Sequence, residues 1–195
     1  MNKTLFAILA CTLTAPPALA QAADPALSTV QALNAGLLAT MRAGPGQAGR
    51  AHTIAPVVDR TFDIALMTRL SVGPSWSAIA PADQTALVAA FRALTVAQNA
   101  KNFNGYSGES FTVVPQVETR GGDKLVRTTL VVPKGSTESL NYRLRQSGGQ
   151  WKIIDVYYRN AISQLATRRS EFARPLATGG ARALIAHLNQ LAARP

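Results

Sequence analysis

The sequence predicts an α+β fold: a curved, four-stranded antiparallel meander covered by amphipathic helices, with helical segments flanking the sheet on its N- and C-terminal sides. Three observations carry this. Segments 111–119, 124–132, 138–146 and 150–158 are rich in Val, Thr, Ile and aromatic residues. The joints between them are short turn-forming runs (Gly121-Gly122-Asp123, Pro133-Lys134-Gly135-Ser136 and Ser147-Gly148-Gly149), and short joints imply antiparallel neighbours. Apolar residues at helical spacing fill the chain on either side.

Taken in order, Asp24-Pro25 opens a first helix, because proline is pre-set for the first helical position. Leu27, Val30, Leu37 and Met41 then share one face, and Gly44-Pro45-Gly46 ends the segment. Asp59 is the expected cap of a second helix carrying Phe62, Leu66 and Leu70, stopped by Gly73-Pro74. Pro81-Ala82-Asp83 opens a third, with Leu87, Phe91 and Leu94 on one face and Gly105 beyond its end.

In the third strand Leu140, Tyr142 and Leu144 share one face, while Asn141, Arg143 and Arg145 share the other. In the fourth, simple alternation sends Trp151, Ile153 and Tyr157 one way and Ile154, Val156 and Tyr158 the other. Apolar residues on both faces predict a central strand covered on both sides. After the sheet, Ile162, Leu165, Arg169 and Phe172 are helically spaced up to Pro175, which closes or kinks the helix. Gly179-Gly180 precedes a last amphipathic helix with Leu184, Ile185, Leu188 and Leu191.

The first twenty residues read as an address. Lys3 supplies a positive charge, residues 5–13 are apolar except Thr12, and Ala18-Leu19-Ala20 is a small-x-small cleavage signal. Cys11 after Ile8-Leu9-Ala10 faintly suggests a lipoprotein signal, but the apolar run before it is short and a second cleavage site lies beyond. The expectation is a cleaved secretory signal over 1–20, a start near Gln21, and a single domain over 21–195. Export points to the periplasm. Removing the signal removes the only cysteine, so no disulfide is available and the core alone must hold the fold. No later stretch approaches the ~18 apolar residues of a membrane span.

Of the 195 residues, 47% are apolar and only 15% charged, yet the net charge is +10. The bias is uneven. Residues 21–110 carry 6 basic and 5 acidic groups, whereas residues 111–195 carry 13 and 5. Arginine dominates, and guanidinium suits phosphate and carboxylate partners. A solvated surface explains the same bias equally well.

Catalytic constellations are mostly absent. His52 and His187 lack a second ligand at metal-binding spacing, no glycine-rich loop follows a strand, and no Gly-x-Ser-x-Gly elbow occurs. No cofactor, metal or catalytic residue is expected. Basic strands bearing aromatics offer some support for nucleic-acid binding, but export argues against it. Aliphatic and aromatic residues on a curved sheet under helices either pack into a closed core or leave an apolar cavity able to hold lipid tails at ~0.8 kcal/mol per buried CH₂.

The run FDIALMTRLSVG at 62–73, followed by Trp76, resembles the opening signature of the MlaC family of periplasmic lipid carriers. Phe103-Asn104-Gly105-Tyr106-Ser107-Gly108-Glu109, Tyr142-Arg143-Leu144, the run GQWKIIDV at 149–156, and Arg169-Ser170-Glu171-Phe172 match its later motifs in order and spacing. The likeness runs from about residue 25 to 192. Thr95-Val96-Ala97 and the 103–109 segment look most like the hopanoid-associated HpnM branch. Asn99 stands where the family often has Tyr, and Arg168 where its usual pair is Tyr-Arg.

The resemblance implies a carrier without catalysis that holds phospholipid or hopanoid tails between sheet and helices. It implies exchange with an inner-membrane ABC transporter of the Mla type and with an outer-membrane complex, through transient contact with membrane surfaces. Carried over by motif and strand face, Trp76, Phe91, Phe103, Tyr106, Tyr142, Leu144, Trp151, Ile153 and Val156 are the candidate cavity residues. Trp76, Tyr142, Trp151 and Val156 are equally compatible with sealed core. Arg143, Arg168 and Arg169 are the candidates for headgroup contact or docking, with Arg169 alternatively a structural partner of Asp155. The remaining alternatives are a small NTF2-like enzyme with an acid–base pair in its cavity, and an interaction module docking on an anionic partner.

Overall fold

The computed structural model describes residues 24–133 and 135–194. The expected leader, Cys11 and Gln21 lie outside these residues.

Four helices come first. α1 (Pro25–Arg42) is capped by the Asp24 carboxylate, which accepts from Ala26 N–H. Its buried face carries Leu27, Val30, Leu33, Leu37 and Met41. α2 (Gln47–Thr61) is a helix that the pattern did not reveal, because Pro56 and a poorly apolar sequence interrupt its periodicity. Asp59 therefore sits near the end of a helix and does not open one. The true cap of α3 (Ile64–Val72) is Asp63, whose Oδ1 accepts from Leu66 N–H. That moves the buried face from Leu66 and Leu70 to Ile64, Met67, Thr68 and Val72. A 3₁₀ turn, Gly73–Ala78, leads to α4 (Pro81–Asn102), which buries Leu87, Phe91 and Leu94 as expected.

The sheet is antiparallel throughout, but it has seven strands and not four. The first expected strand divides into β1 (Ser110–Val113) and β2 (Glu118–Arg120) around Pro115, which has no N–H to donate to a ladder. The second divides into β3 (Asp123–Val126) and β4 (Thr128–Val131) at Arg127. There Thr128 N–H donates to the Asn141 side chain and the Thr128 hydroxyl to Leu140 C=O, so a side chain replaces a backbone rung. β5 (Glu138–Ser147) is the central strand, flanked by β3 and β4 on one side and β6 (Gln150–Tyr158) on the other. Gly148 and Gly149, both at positive φ, make the two-residue turn that joins β5 to β6. A two-residue β7 (Ile162–Ser163) closes the sheet, taking Ile162 out of the last helix and leaving it exposed.

The mixed faces of β6 have a local cause. Tyr142 opposes Val156, but Leu144 opposes Ile153, with a register shift between them. Since Tyr142 and Leu144 share a face, Ile153 and Val156 do too, despite their odd spacing. A β-bulge shifts the alternation, and the burial of Ile153 and Asp155, on opposite faces, shows that this stretch is covered on both sides as expected.

α5 (Gln164–Ala192) is capped by Ser163. Pro175 stays inside it; the break falls at Gly179-Gly180 instead. α1, α2, α3 and α5 pack against β6, and α4 packs on α2, α3 and α5. Phe91 of α4 meets Phe172 of α5 edge-to-face, ring centroids 6.0 Å apart. No helix among the described residues is long and apolar enough to cross a membrane.

Candidate functional site

Sheet and helices do not close fully on each other. A cavity of about 580 Å³ remains between β4, β5 and β6 on one side and α1, α3, α4 and the start of α5 on the other. Its apolar wall has a simple origin. Leu140, Tyr142, Val156 and Tyr158 are cross-strand neighbours, Leu140 opposite Tyr158 and Tyr142 opposite Val156. Leu33 and Leu37, one helical turn apart, come from α1, and Phe62 and Met67 from the joint and start of α3. Burial pushes the Tyr142 hydroxyl above its usual pKa, so it stays neutral.

One side of the cavity is polar. Phe91, Thr95, Gln98, Asn99 and Asn102 recur along one face of α4, grading from an aromatic to amides. Arg168 of α5 completes this side. Its Nη2 donates to Gln98 Oε1 at 2.5 Å and its Nη1 to Glu171 at 2.5 Å. Glu138 at the start of β5 pairs with Arg159, and that guanidinium, together with the Tyr158 hydroxyl, holds its carboxyl below the usual range.

Of the residues expected at the cavity, Phe91, Phe103, Tyr142, Val156 and Arg168 line it. Leu144 and Ile153 are fully buried in the core. Trp151 packs under the Lys124 ammonium, 4.5 Å from its ring centroid. Trp76 sits in the 3₁₀ turn, its carbonyl accepting from Gln84. Tyr106 is exposed and stacked by Arg42. Arg143, with Arg145, is committed to buried Asp123 on the opposite sheet face. Arg169 does not partner Asp155; its guanidinium lies over Gly73, beside a second hollow of about 680 Å³ between the 3₁₀ turn and α5. Asp155 instead accepts from Ser163 Oγ and Leu165 N–H, tying β6 to the start of α5.

The pattern missed Leu33, Phe62, Met67 and the amides of α4. Leu140 and Tyr158 were legible, each two residues from an expected cavity residue on the same strand. Among the described residues, no three His, Cys, Asp or Glu side chains group to hold a metal ion.

The family model for MlaC protein matches residues 31–190. The chain belongs to the MlaC family. A solved structure of a phospholipid-binding protein from Ralstonia solanacearum, in complex with a phospholipid, has the same fold, with a TM-score of 0.73. It is 23% identical, over 86% of this chain and 97% of that one. No curated protein matches. For this MlaC-family chain the fold places the cavity between sheet and helices, walled by residues of α1, α3, α4, α5, β4, β5 and β6.

Proposed function

We propose that the protein is a lipid carrier of the periplasm, holding the alkyl part of a phospholipid or hopanoid in the cavity between sheet and helices. One observation supports it most: an apolar hollow of about 580 Å³, open enough to admit a ligand, inside a member of a lipid-carrier family. At ~30 Å³ per water-sized group, roughly the size of a methylene, it takes on the order of twenty CH₂ groups. Their burial is worth about 15 kcal/mol before association costs of similar order are subtracted. The bound lipid of the Ralstonia solanacearum relative supports the same reading. Exchange with an inner-membrane ABC transporter of the Mla type and with an outer-membrane complex follows from the family resemblance, as does affinity with the HpnM branch.

An enzymatic reading is less well supported. Glu138 and Tyr158 are the nearest thing to an acid–base pair in the cavity. Arg159 holds the Glu138 pKa low, away from the neutral range in which a carboxyl transfers protons efficiently. The test is native mass spectrometry on protein purified without detergent from cells with intact membranes. One bound lipid per chain is expected. Protein that carries none, and takes up none from labelled vesicles, overturns the proposal.

A further inference from the structure

We propose that residues 104–109, between α4 and β1, form a strap across one end of the cavity, latched by Tyr106 on Arg42, whose opening sets how fast a ligand enters and leaves, an inference that rests on the carrier reading above and concerns the rate of exchange alone.

The strap ties three walls of the cavity together. It leaves α4 at Asn102 and Phe103, both of which line the hollow. It ends at β1, whose Phe111 pairs with Leu130 of β4, another lining residue. Midway, Tyr106 reaches Arg42, the last residue of α1, the helix that supplies Leu33 and Leu37 to the hollow. Arg42 Nη2 donates to the Tyr106 hydroxyl at 2.8 Å, and the guanidinium carbon lies 4.2 Å from the ring centroid.

The strap is otherwise loosely attached. Apart from half-buried Glu109, its residues are exposed. Among the described residues, none of its backbone groups bonds to the backbone of another element. Its order is internal. The Glu109 carboxylate accepts from Ser107 N–H at 2.5 Å, and the N–H groups of Ser107, Glu109 and Gly108 hold that carboxyl below its usual pKa. Gly105 and Gly108 stand on either side of Tyr106-Ser107, and Gly108 has a φ of 106°, where glycine is free of strain. A self-contained turn of this kind pivots as a unit, without a ladder to break rung by rung. The latch is one exposed hydrogen bond plus one exposed cation–π contact, together worth about tenfold in favour of the closed strap. Entry and exit pass through the same open state. Loss of the latch therefore quickens both and leaves the equilibrium occupancy unchanged.

The test follows exchange of a fluorescent-tailed phosphatidylglycerol between the protein and vesicles of dioleoyl phosphatidylglycerol by stopped flow. In Arg42→Ala and in Tyr106→Ala, uptake and release are both expected to quicken about tenfold, with occupancy at equilibrium kept. Tyr106→Phe keeps the ring but not the hydroxyl and falls between. In a Cys11→Ser background, which removes the chain's one cysteine, Arg42→Cys/Tyr106→Cys bridged by a short bismaleimide is expected to exchange far more slowly than the same protein unbridged. Parent rates in the two alanine variants, or equal rates with and without the bridge, overturn the strap while leaving the carrier reading standing. No uptake by the parent protein removes the carrier reading and the strap with it.

Discussion

Asp155, on β6, accepts a 2.6 Å hydrogen bond from Ser163 Oγ, while its other oxygen accepts from Leu165 N–H at 2.9 Å and Val156 N–H at 2.8 Å. A carboxylate only 2% exposed therefore organises the corner where the sheet ends and α5 begins. That corner aims Leu165 and Arg168 at the cavity.

Asp155→Ala leaves two backbone N–H groups and a hydroxyl without this partner in a buried corner. The expected loss is about 2–4 kcal/mol in urea denaturation. Asp155→Asn keeps an acceptor oxygen and costs distinctly less. Equal losses for the two variants contradict the capping role.

Gly36 allows α1 and α2 to approach closely. A Cβ at position 36 would lie 2.6 Å from Val57 Cγ1. Gly36→Ala gains helix propensity, but the overlap outweighs it, for a net loss of about 1–3 kcal/mol. In a double-mutant cycle, Val57→Ala recovers part of that loss. Independent, additive effects rule out the contact as the cause.

The Asp123 carboxylate accepts from Arg145 and Arg143 and is itself 2% exposed. Arg145 first, then Arg143, hold its pKa below the ordinary value against the opposing effect of burial. The folded pKa lies under the unfolded one of ~3.9. The pairing thus stabilises the fold at pH values above that, and the contribution is lost as pH falls through the folded pKa. The stability gap between the parent protein and Asp123→Asn is expected to be widest near neutral pH and to close in acid. A gap that widens in acid contradicts the pairing.

Val156 faces Tyr142 across the cavity wall, so Val156→Trp fills space that a tail would occupy. Displacing about two methylenes costs about 1.6 kcal/mol. Lipid uptake from labelled vesicles falls on the order of tenfold. Unchanged uptake by a folded variant places the ligand elsewhere.

The predictions on Asp155 and Gly36 concern contacts that the sequence hid, whereas Val156 was legible. Simple alternation along β5 put Tyr142 on an apolar face, and the MlaC-like motifs pointed to Val156. The same alternation failed along β6, because one bulged residue reverses the faces and returns Ile153 to the side of Val156. Trp76 and Tyr106 carried motif signals without cavity positions: one is held in a 3₁₀ turn, the other lies exposed under Arg42.

By itself the sequence determined the helix–sheet–helix order, the antiparallel joints and the apolar faces of α1, α4 and the last helix. These depend on interactions a few residues apart: turn chemistry, capping and side-chain periodicity. Tertiary structure alone decided which apolar residues close into core and which border a void. Leu144 and Tyr142 look alike in the pattern, yet one is sealed and the other lines the cavity. It also decided the fate of the arginines: Arg143 is neutralised by Asp123, Arg168 by Glu171, and Arg169 rests on Gly73. Packing, pairing and desolvation depend on neighbours distant in the chain, and only the folded arrangement supplies them.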